Sequence, residues 1–291
     1  MKRILCSKVQ KRVYVYITDG TQNYPERAEL RLPPINFQMS IYFPTFMQHS
    51  IQSLHLIRNL NIKRMKRLFT LFLLISTCSF AQDIKRYFKV KDFERLDMGS
   101  AFIITVTQGN TYNVEVRGRE QDVKEIIGKV SGNTFELNYP SSWGNSSKNR
   151  KEVYVNITMP KLVAAEFSGA SKSTVSGFNS DKLSISISGA SIGNFKVNAK
   201  ALSIDCSGAS SLTLIGSGQS IDADVSGASN ANCSDYKVAT ASVDASGASD
   251  IKLFVTSKIV ADASGASSVR YKGGASVKSS TSGAGSVMSM N

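Results

Sequence analysis

Apolar and polar residues alternate through the C-terminal half of the chain, and each stretch of alternation ends at the same short motif. Residues 183–187 (Leu-Ser-Ile-Ser-Ile), 202–206 (Leu-Ser-Ile-Asp-Cys) and 221–225 (Ile-Asp-Ala-Asp-Val) each precede a Ser-Gly-Ala-Ser sequence. A period of two residues is typical of a β-strand with one buried face. A second, shorter alternation follows each motif. Each unit is therefore predicted to contain a strand, a corner of small residues, a second strand and a looser return.

The motif recurs at a nearly constant interval. It begins at Ser168, Ser188, Ser207, Ser226, Ser246 and Ser264, and it returns as Ser-Gly-Ala-Gly at Ser282. Such self-similarity indicates a solenoid, in which stacked units bury an apolar face that one unit alone would expose. The sequence thus predicts an all-β fold, a parallel β-helix with coils of about 19 residues.

Glycine explains the corners of this β-helix, since it permits a tight bend where no larger side chain fits. The predicted corner residues are Gly169, Gly189, Gly208, Gly227, Gly247, Gly265 and Gly283. Replacing Gly208 or Gly227 with Val is expected to damage folding rather than any activity.

Residues 82–161 show a less regular pattern. Residues 102–107 and 112–117 alternate around a Gln-Gly-Asn turn, which predicts a hairpin-like pair. Residues 120–129 place apolar side chains on one helical face, with Gly128 as the predicted end. We expect residues 82–161 to form an irregular β section that caps the first coil, and residues 162–291 to form the regular β-helix.

The strongly basic charge belongs mainly to the N-terminal stretch. Of the 35 basic and 22 acidic residues, 12 basic and 3 acidic ones lie in residues 1–81, which leaves a net charge of only +4 beyond them. A nucleic-acid partner is therefore not predicted.

Residues 65–81 have the three parts of a secretory signal peptide. Met65-Lys66-Arg67 is basic, residues 68–75 are almost wholly apolar, and Ser79-Phe80-Ala81 fits a small-x-small cleavage site. The apolar run is too short for a transmembrane helix, so we expect export to the periplasm, the outer-membrane surface or the extracellular space. The alternative processing is lipidation at Cys78, although Thr77 is a poor residue before such a cysteine.

Residues 1–64 show no sustained period. Because a signal peptide works at a free N-terminus, translation is predicted to start at Met65, with residues 1–64 a start-site error. The alternative is a genuine extension that turns the apolar run into an anchor.

Two cysteines, Cys206 and Cys233, remain after cleavage and point inward in the predicted register. Export permits a disulfide, and two separate buried thiols fit equally well. Two cysteines do not suffice for a metal site, and no cofactor is predicted.

Several of these features together resemble a known family. They are Phe93-Glu94-Arg95-Leu96, the Ile-Thr-Val-Thr-Gln-Gly strand at 104–109, the strand at 153–160 and the repeated corners. From about residue 88 to residue 288 the chain resembles the "putative auto-transporter adhesin, head GIN domain" family. The resemblance implies a right-handed, single-stranded β-helix exported by a bacterium with two membranes, and it supplies no catalytic residues.

A polar row lies two residues before each corner. Its members are Glu166, Ser186, Asp205, Asp224, Asp244, Asp262 and Ser280. Like charges one strand apart repel by about 0.9 kcal/mol even in bulk water. The four aspartates are therefore either a solvated face or candidate ligands for calcium or another cation. The repeats lack the Gly-Gly-x-Gly-x-Asp sequence of calcium-binding β-rolls, which favours the solvated face.

The other candidate ligand contacts are two aromatic residues. Trp143, the only tryptophan, lies in the polar loop at 140–151, and Tyr139 precedes it. These rings either stack on a sugar or peptide, or pack back onto the core.

The mature sequence does not favour an enzyme. It contains no histidine for a Ser-His or Cys-His nucleophile, and its acids form a line rather than an opposed pair. We predict an exported, non-enzymatic protein with a surface, adhesin-like or envelope structural role and a cell-surface glycan or protein as partner. The alternatives are a carbohydrate-binding or polysaccharide-cleaving β-helix and a periplasmic partner of an envelope regulator.

Overall fold

The structure is a computed structural model that describes residues 3–9, 12–18, 83–140 and 150–290. The chain divides into two compact units, residues 1–78 and 79–291. In the first unit, strands β1 (Arg3–Val9) and β2 (Arg12–Thr18) pair antiparallel, although the sequence there shows no sustained period. Trp143, Met65 and the predicted signal peptide lie outside the described residues.

The second unit is built almost wholly of strands. Its opening part contains β3 (Asp83–Tyr87), β4 (Arg95–Met98), β5 (Phe102–Gln108), β6 (Asn113–Arg119), helix α1 (Glu120–Glu125), β7 (Ile127–Ser131), β8 (Thr134–Asn138), β9 (Val153–Met159) and β10 (Ala164–Phe167). Then follow β11 (Lys172–Ile187), β12 (Ile192–Cys206), β13 (Ser211–Val225), β14 (Asn230–Ala245), β15 (Asp250–Ala263), β16 (Ser268–Lys272), β17 (Ser276–Thr281) and β18 (Ser286–Ser289).

The repeated units stack as a parallel solenoid, which confirms the predicted fold. Strands β11 to β15 pair in sequence order, each parallel to the next, so chemically equivalent residues lie above one another. Their buried residues alternate along each strand and form one continuous core; in β12 these include Phe195, Val197, Leu202 and Ile204. The two-residue period in the sequence is thus the alternation between this core and solvent.

The corner glycines adopt a backbone conformation that other residues rarely take. All seven have φ between 65° and 81°. A Cβ atom on Gly227 would lie 2.5 Å from the carbonyl oxygen of Gly208, the equivalent residue one coil earlier. That same oxygen accepts a 2.7 Å hydrogen bond from the N–H of Ala228. The corner therefore requires glycine for two reasons, the positive φ and the close approach of neighbouring coils.

The second serine of the motif points into the solenoid. Six of these serines are buried: Ser171, Ser191, Ser210, Ser229, Ser249 and Ser267. The hydroxyl group of Ser171 donates to Ser191 Oγ at 3.1 Å, and that of Ser249 donates to the carbonyl oxygen of Val225 at 2.9 Å. Burial of a hydroxyl group is costly unless it is hydrogen-bonded. The serines are therefore an internal polar column as well as small corner residues.

The opposite side of each coil bends without breaking the strand. We name this bend the second corner; it comprises residues 176–181, 196–200, 215–219, 234–239 and 254–257. Strands β11 to β15 run through it continuously, so the predicted looser return is a bend with irregular pairing inside a strand rather than a separate loop.

Irregular pairing at the second corner absorbs differences in coil length. The motifs at 188, 207 and 226 begin 19 residues apart, and β12 pairs with β13 without a shift. The preceding coil has 20 residues, and β11 pairs with β12 through a bulge after Ser176. Bulges also occur between β13 and β14 and between β14 and β15, where coil lengths again differ. The Ser-Gly-Ala-Ser corners consequently remain in register.

The opening section departs from two local predictions. Strands β5 and β6 do not pair with each other, because β9 lies between them, parallel to β5 and antiparallel to β6. Helix α1 ends at Glu125 instead of continuing to Gly128. Gly128 belongs to β7, which pairs with β8, and a Cβ atom there would lie 2.7 Å from the ring of Phe88. Tertiary packing thus determines both outcomes.

The inner positions become polar at the C-terminal end. Strand β17 is exposed along its whole length. Its Ser279 and Thr281 occupy the positions that Ala261 and Ala263 fill in β15.

Among the described cysteines, Cys206 and Cys233 are both buried free thiols. Burial raises the pKa of the Cys206 thiol to about 12 and also raises that of Cys233.

Candidate functional site

The four candidate aspartates form a straight, exposed row. Asp205 pairs with Asp224, Asp224 with Asp244, and Asp244 with Asp262, each on the outer face of adjacent strands. The same column continues toward the N-terminus through Ser186 and Glu166, and then through Asp97 and Glu136 of the opening section. Parallel pairing in register thus extends the acidic row beyond the repeats.

Neighbouring carboxylates of this row affect the ionisation of Asp244. Partial burial and the neighbouring carboxylates of Asp262 and Asp224 raise the pKa of Asp244. Within the part of the chain that the structure describes, none of the four aspartates forms an ion pair, and no cluster of three His, Cys, Asp or Glu residues suits a metal ion. Cation binding by the row stays a prediction.

Tyr139 lies at the base of the loop that contains Trp143. The guanidinium carbon of Arg150 is 3.6 Å from the centroid of the Tyr139 ring, and the ring of Phe102 is 5.3 Å away, centroid to centroid. Burial is the main reason that the pKa of Tyr139 is raised to about 12. Tyr139 therefore packs partly onto the core, whereas Trp143 is outside the described residues. Contact of these two rings with a ligand stays a prediction.

A buried carboxylate stabilises the same region. Asp122 accepts two 3.0 Å hydrogen bonds from the guanidinium group of Arg119 and one of 3.1 Å from the backbone N–H of Lys151. Burial alone would raise its pKa, but these bonds outweigh burial and lower it. Asp122 thus holds α1 and the chain after the loop together, and we assign it a structural role.

A concave surface lined mainly by polar residues lies elsewhere, on the second corner. We call it the amide groove. It spans about 440 Å³ and is lined by residues 179–181, 198–200 and 217–219, which are equivalent stretches of three successive coils. A neighbouring hollow of about 380 Å³ is lined by residues 176–178, 196–198 and 215–216. Asn198 lines both.

Asn198 connects three coils through its side-chain amide. Its Nδ2 donates to Asn179 Oδ1 at 2.9 Å, and its Oδ1 accepts from the backbone N–H of Ser217 at 3.0 Å and from the Ser217 hydroxyl at 3.2 Å. At the edge of the groove, Lys200 Nζ lies 2.6 Å from Asp181 Oδ1. The arrangement offers fixed amide, hydroxyl and charged groups to a ligand.

Close packing between coils requires glycine at position 218 of the groove lining. A Cβ atom on Gly218 would lie 2.2 Å from the carbonyl oxygen of Ala199 and 2.8 Å from Tyr236 Oη. The sequence pattern did not indicate this groove, since its residues are separated by whole coils. The one sequence feature that could have indicated the groove is the recurrence of small polar residues at equivalent positions of three coils, namely Asn179, Asn198 and Ser217.

The fold and these surfaces define a class of protein: a parallel β-solenoid with long, regular, polar outer faces. The chain belongs to the family described as "putative auto-transporter adhesin, head GIN domain", whose model matches residues 92–275. This finding confirms the resemblance seen in the sequence.

Solved structures share the fold. A "putative adhesin" from Bacteroides fragilis is 24% identical, with a TM-score of 0.62, and the match covers 72% of this chain and 97% of that one. A "putative lipid binding protein" from Parabacteroides distasonis is 16% identical, with a TM-score of 0.55 and the same coverage. A "putative adhesin" from Parabacteroides merdae is 15% identical, with a TM-score of 0.53 and again the same coverage. At these identities the likeness shows the fold alone.

The comparisons describe adhesin-like proteins. The family and two of these structures are described as adhesins, and the search of curated proteins found no match. In the described ranges, no helix has the length and apolar character needed to cross a bilayer.

Proposed function

We propose that the protein is an exported, non-enzymatic, adhesin-like solenoid that holds a glycan or protein partner at the cell envelope. Its location is the periplasm, the outer-membrane surface or the extracellular space. The observation that best supports this function is the stacking of outward side chains in register, from Glu166 through Asp262 on one face and from Asn179 through Ser217 on the second corner. Such columns present the same group repeatedly to a large partner.

The physical basis is rigidity rather than reactivity. The N–H groups of the motif alanines from Ala190 to Ala284 donate hydrogen bonds of 2.7–2.8 Å to the carbonyl oxygen of the corner glycine one coil earlier, which holds the coils together. A rigid surface loses little conformational entropy when it binds, which favours weak contacts repeated over a long face. The family description as an adhesin is consistent with this use.

Cell fractionation and attachment assays test the proposal. We expect the protein in the envelope or the medium, and we expect cells that lack it to attach less well to host or neighbouring cells. Restoring the wild-type chain should restore attachment. Retention in the cytoplasm, or unchanged attachment after deletion, would contradict the proposal. Release of reducing ends from polysaccharides by the purified protein would instead support the alternative of an enzyme.

A further inference from the structure

The amide groove has the dimensions of a binding site for a short stretch of a linear chain. It crosses three coils, and the outer two are separated by two strand spacings, about 10 Å. Asn179, Asn198 and Ser217 follow one another along this direction, joined by hydrogen bonds of 2.9–3.2 Å. A linear ligand that lies along the solenoid axis would therefore meet one fixed polar group per coil.

The groove retains donors that the protein itself does not use. Within the described residues, the side-chain N–H groups of Asn179 and Gln219 donate to no other residue. The second N–H of Asn198 is likewise not engaged by a described acceptor. Side-chain amides of this kind donate to and accept from hydroxyl groups.

The charge around the groove is positive. Asp181 is the one carboxylate in its described lining, and it is already paired with Lys200. Lys182 follows Asp181 directly, and Lys196 lines the hollow beside Asn198; neither forms an ion pair with any described residue. A ligand with negative charges would therefore be attracted to this surface.

We propose that the amide groove binds an acidic polysaccharide that carries carboxylate groups, with its chain along the solenoid axis. The amides of Asn179 and Gln219 bind sugar hydroxyl groups, and Lys182 and Lys196 bind the carboxylates. This proposal rests on the proposed function, because it names the partner class of an exported adhesin-like protein. It assigns the recognition to the second corner rather than to the acidic row or the Trp143 loop.

A peptide partner fits the groove less well. Hot spots for peptides and proteins are aromatic and apolar side chains in desolvated pockets. None of the residues that line the amide groove is aromatic, and its only lining residues without a polar side chain are Ala199 and Gly218. Hydroxyl and carboxylate groups match the available donors more closely than apolar side chains do.

Two probes with the same sugar chain, one charged and one with its carboxylates neutralised as methyl esters, test the proposal. Calorimetry on the full exported chain should detect binding of hexagalacturonate and should show at least about tenfold weaker binding of its fully methyl-esterified form. Raising the sodium chloride concentration should weaken binding of the acidic form. Equal affinity for the two forms, or no binding of hexagalacturonate, would overturn the proposal.

Matched variants locate the site. Lys196→Gln should lower the affinity for hexagalacturonate about two- to fivefold. Gln219→Ala should lower it about fivefold through loss of a hydrogen bond. Lys258→Gln, an exposed lysine of β15 outside the groove, should leave it unchanged. Thermal melts identify variants that fail to fold, and an effect of Lys258→Gln as large as that of Lys196→Gln would overturn the assignment.

The outcomes also separate this inference from the proposed function. A chain that mediates attachment but does not bind hexagalacturonate would overturn only the assignment of the groove. A chain that binds hexagalacturonate but whose deletion leaves attachment unchanged would overturn the proposed function and leave the site intact.

Discussion

Tyr236 reaches across an entire coil to hydrogen-bond with Ala199. Its Oη lies 3.0 Å from the backbone nitrogen and 3.1 Å from the carbonyl oxygen of Ala199, accepting from the first and donating to the second. The intervening coil contains Gly218, where a Cβ atom would lie 2.8 Å from the hydroxyl group. The tyrosine thus occupies space that a side chain at Gly218 would otherwise fill.

Tyr236→Phe should destabilise the protein by about 1–3 kcal/mol, because it leaves a buried N–H and a buried carbonyl group without their partner. Chemical denaturation of the two proteins measures this difference. Tyr154→Phe is the matched control, since the Tyr154 hydroxyl donates to exposed Glu152, at 3.0 Å, where water can replace it. Equal stabilities of wild type and Tyr236→Phe would show that the Ala199 contacts contribute little.

Gly227→Ala should destabilise the protein by at least about 3 kcal/mol. The positive φ alone costs about 1–2 kcal/mol for a residue with a Cβ atom. The contact of that atom with the Gly208 carbonyl oxygen at 2.5 Å adds to this cost, because backbone cannot move aside easily. Thermal and denaturant unfolding would measure the loss.

Two other glycines separate the two contributions to the Gly227 effect. Gly132 has φ of 60°, and a Cβ atom added there would have no neighbour within 4 Å, so Gly132→Ala should cost only the conformational part. Gly274 also has open space and no positive φ, so Gly274→Ala should lie within about 0.5 kcal/mol of wild type. A Gly227→Ala cost no larger than that of Gly132→Ala would contradict the role of close coil stacking.

Asp122→Asn should lower stability at neutral pH by about 1–3 kcal/mol, since it weakens charged hydrogen bonds to Arg119 and Lys151. The pKa of Asp122 in the folded protein lies below its unfolded value, which is about 3.9. Its stabilising contribution is therefore present above that value and is lost as the pH falls through the folded pKa. The stability difference between wild type and Asp122→Asn should accordingly shrink below about pH 4, and a difference that persists unchanged in acid would argue against an ionic origin.

Asp244→Asn should have the opposite effect and stabilise the folded protein at neutral pH. The pKa of Asp244 is raised by partial burial and by its neighbours in the acidic row, so the ionised carboxylate opposes folding at neutral pH. The substitution should raise the melting temperature at about pH 7, most clearly at low salt, and the gain should vanish as the pH falls and the wild-type carboxyl group is protonated.

Asp181→Asn is the control for the Asp244 experiment. Its hydrogen bond with Lys200 lowers the pKa of Asp181, so its replacement should not stabilise the protein. Calcium titrations belong to the same experiment. A rise in the wild-type melting temperature at millimolar calcium that Asp244→Asn abolishes would support cation binding by the row, and no rise would favour a solvated face.

The alternation of apolar residues and the recurrence of the corner predicted the architecture well, because both are local and repeat in every coil. The position of Ile185 or Leu202 in the core follows from the two-residue period alone. Strand pairing in the opening section did not follow, since β9 joins β5 and β6 from far along the chain. Local pattern states which face of a strand is buried but not which strand lies beside it.

The same distinction between local repetition and long-range packing applies to the candidate sites. The acidic row was predicted in register, since parallel stacking places equivalent residues together. The amide groove was not predicted, because it depends on an amide bridge between residues of different coils. The sequence accounted for the motif serines by their small size. It did not predict their internal hydrogen bonds, because no periodic pattern shows whether a corner residue points inward or outward.

The two corners differ in how closely their coils are packed, and this difference determines where the chain tolerates changes in length. At the Ser-Gly-Ala-Ser corner, each glycine from Gly189 to Gly283 packs against the glycine of the coil before it, so an added residue would disrupt contacts with both neighbouring coils. At the second corner, coils of 18, 19 and 20 residues already coexist through local bulges. Single-residue insertions and deletions are therefore accommodated there, on the side of the molecule that forms the amide groove, so the shape of the binding surface can vary while the core remains unchanged.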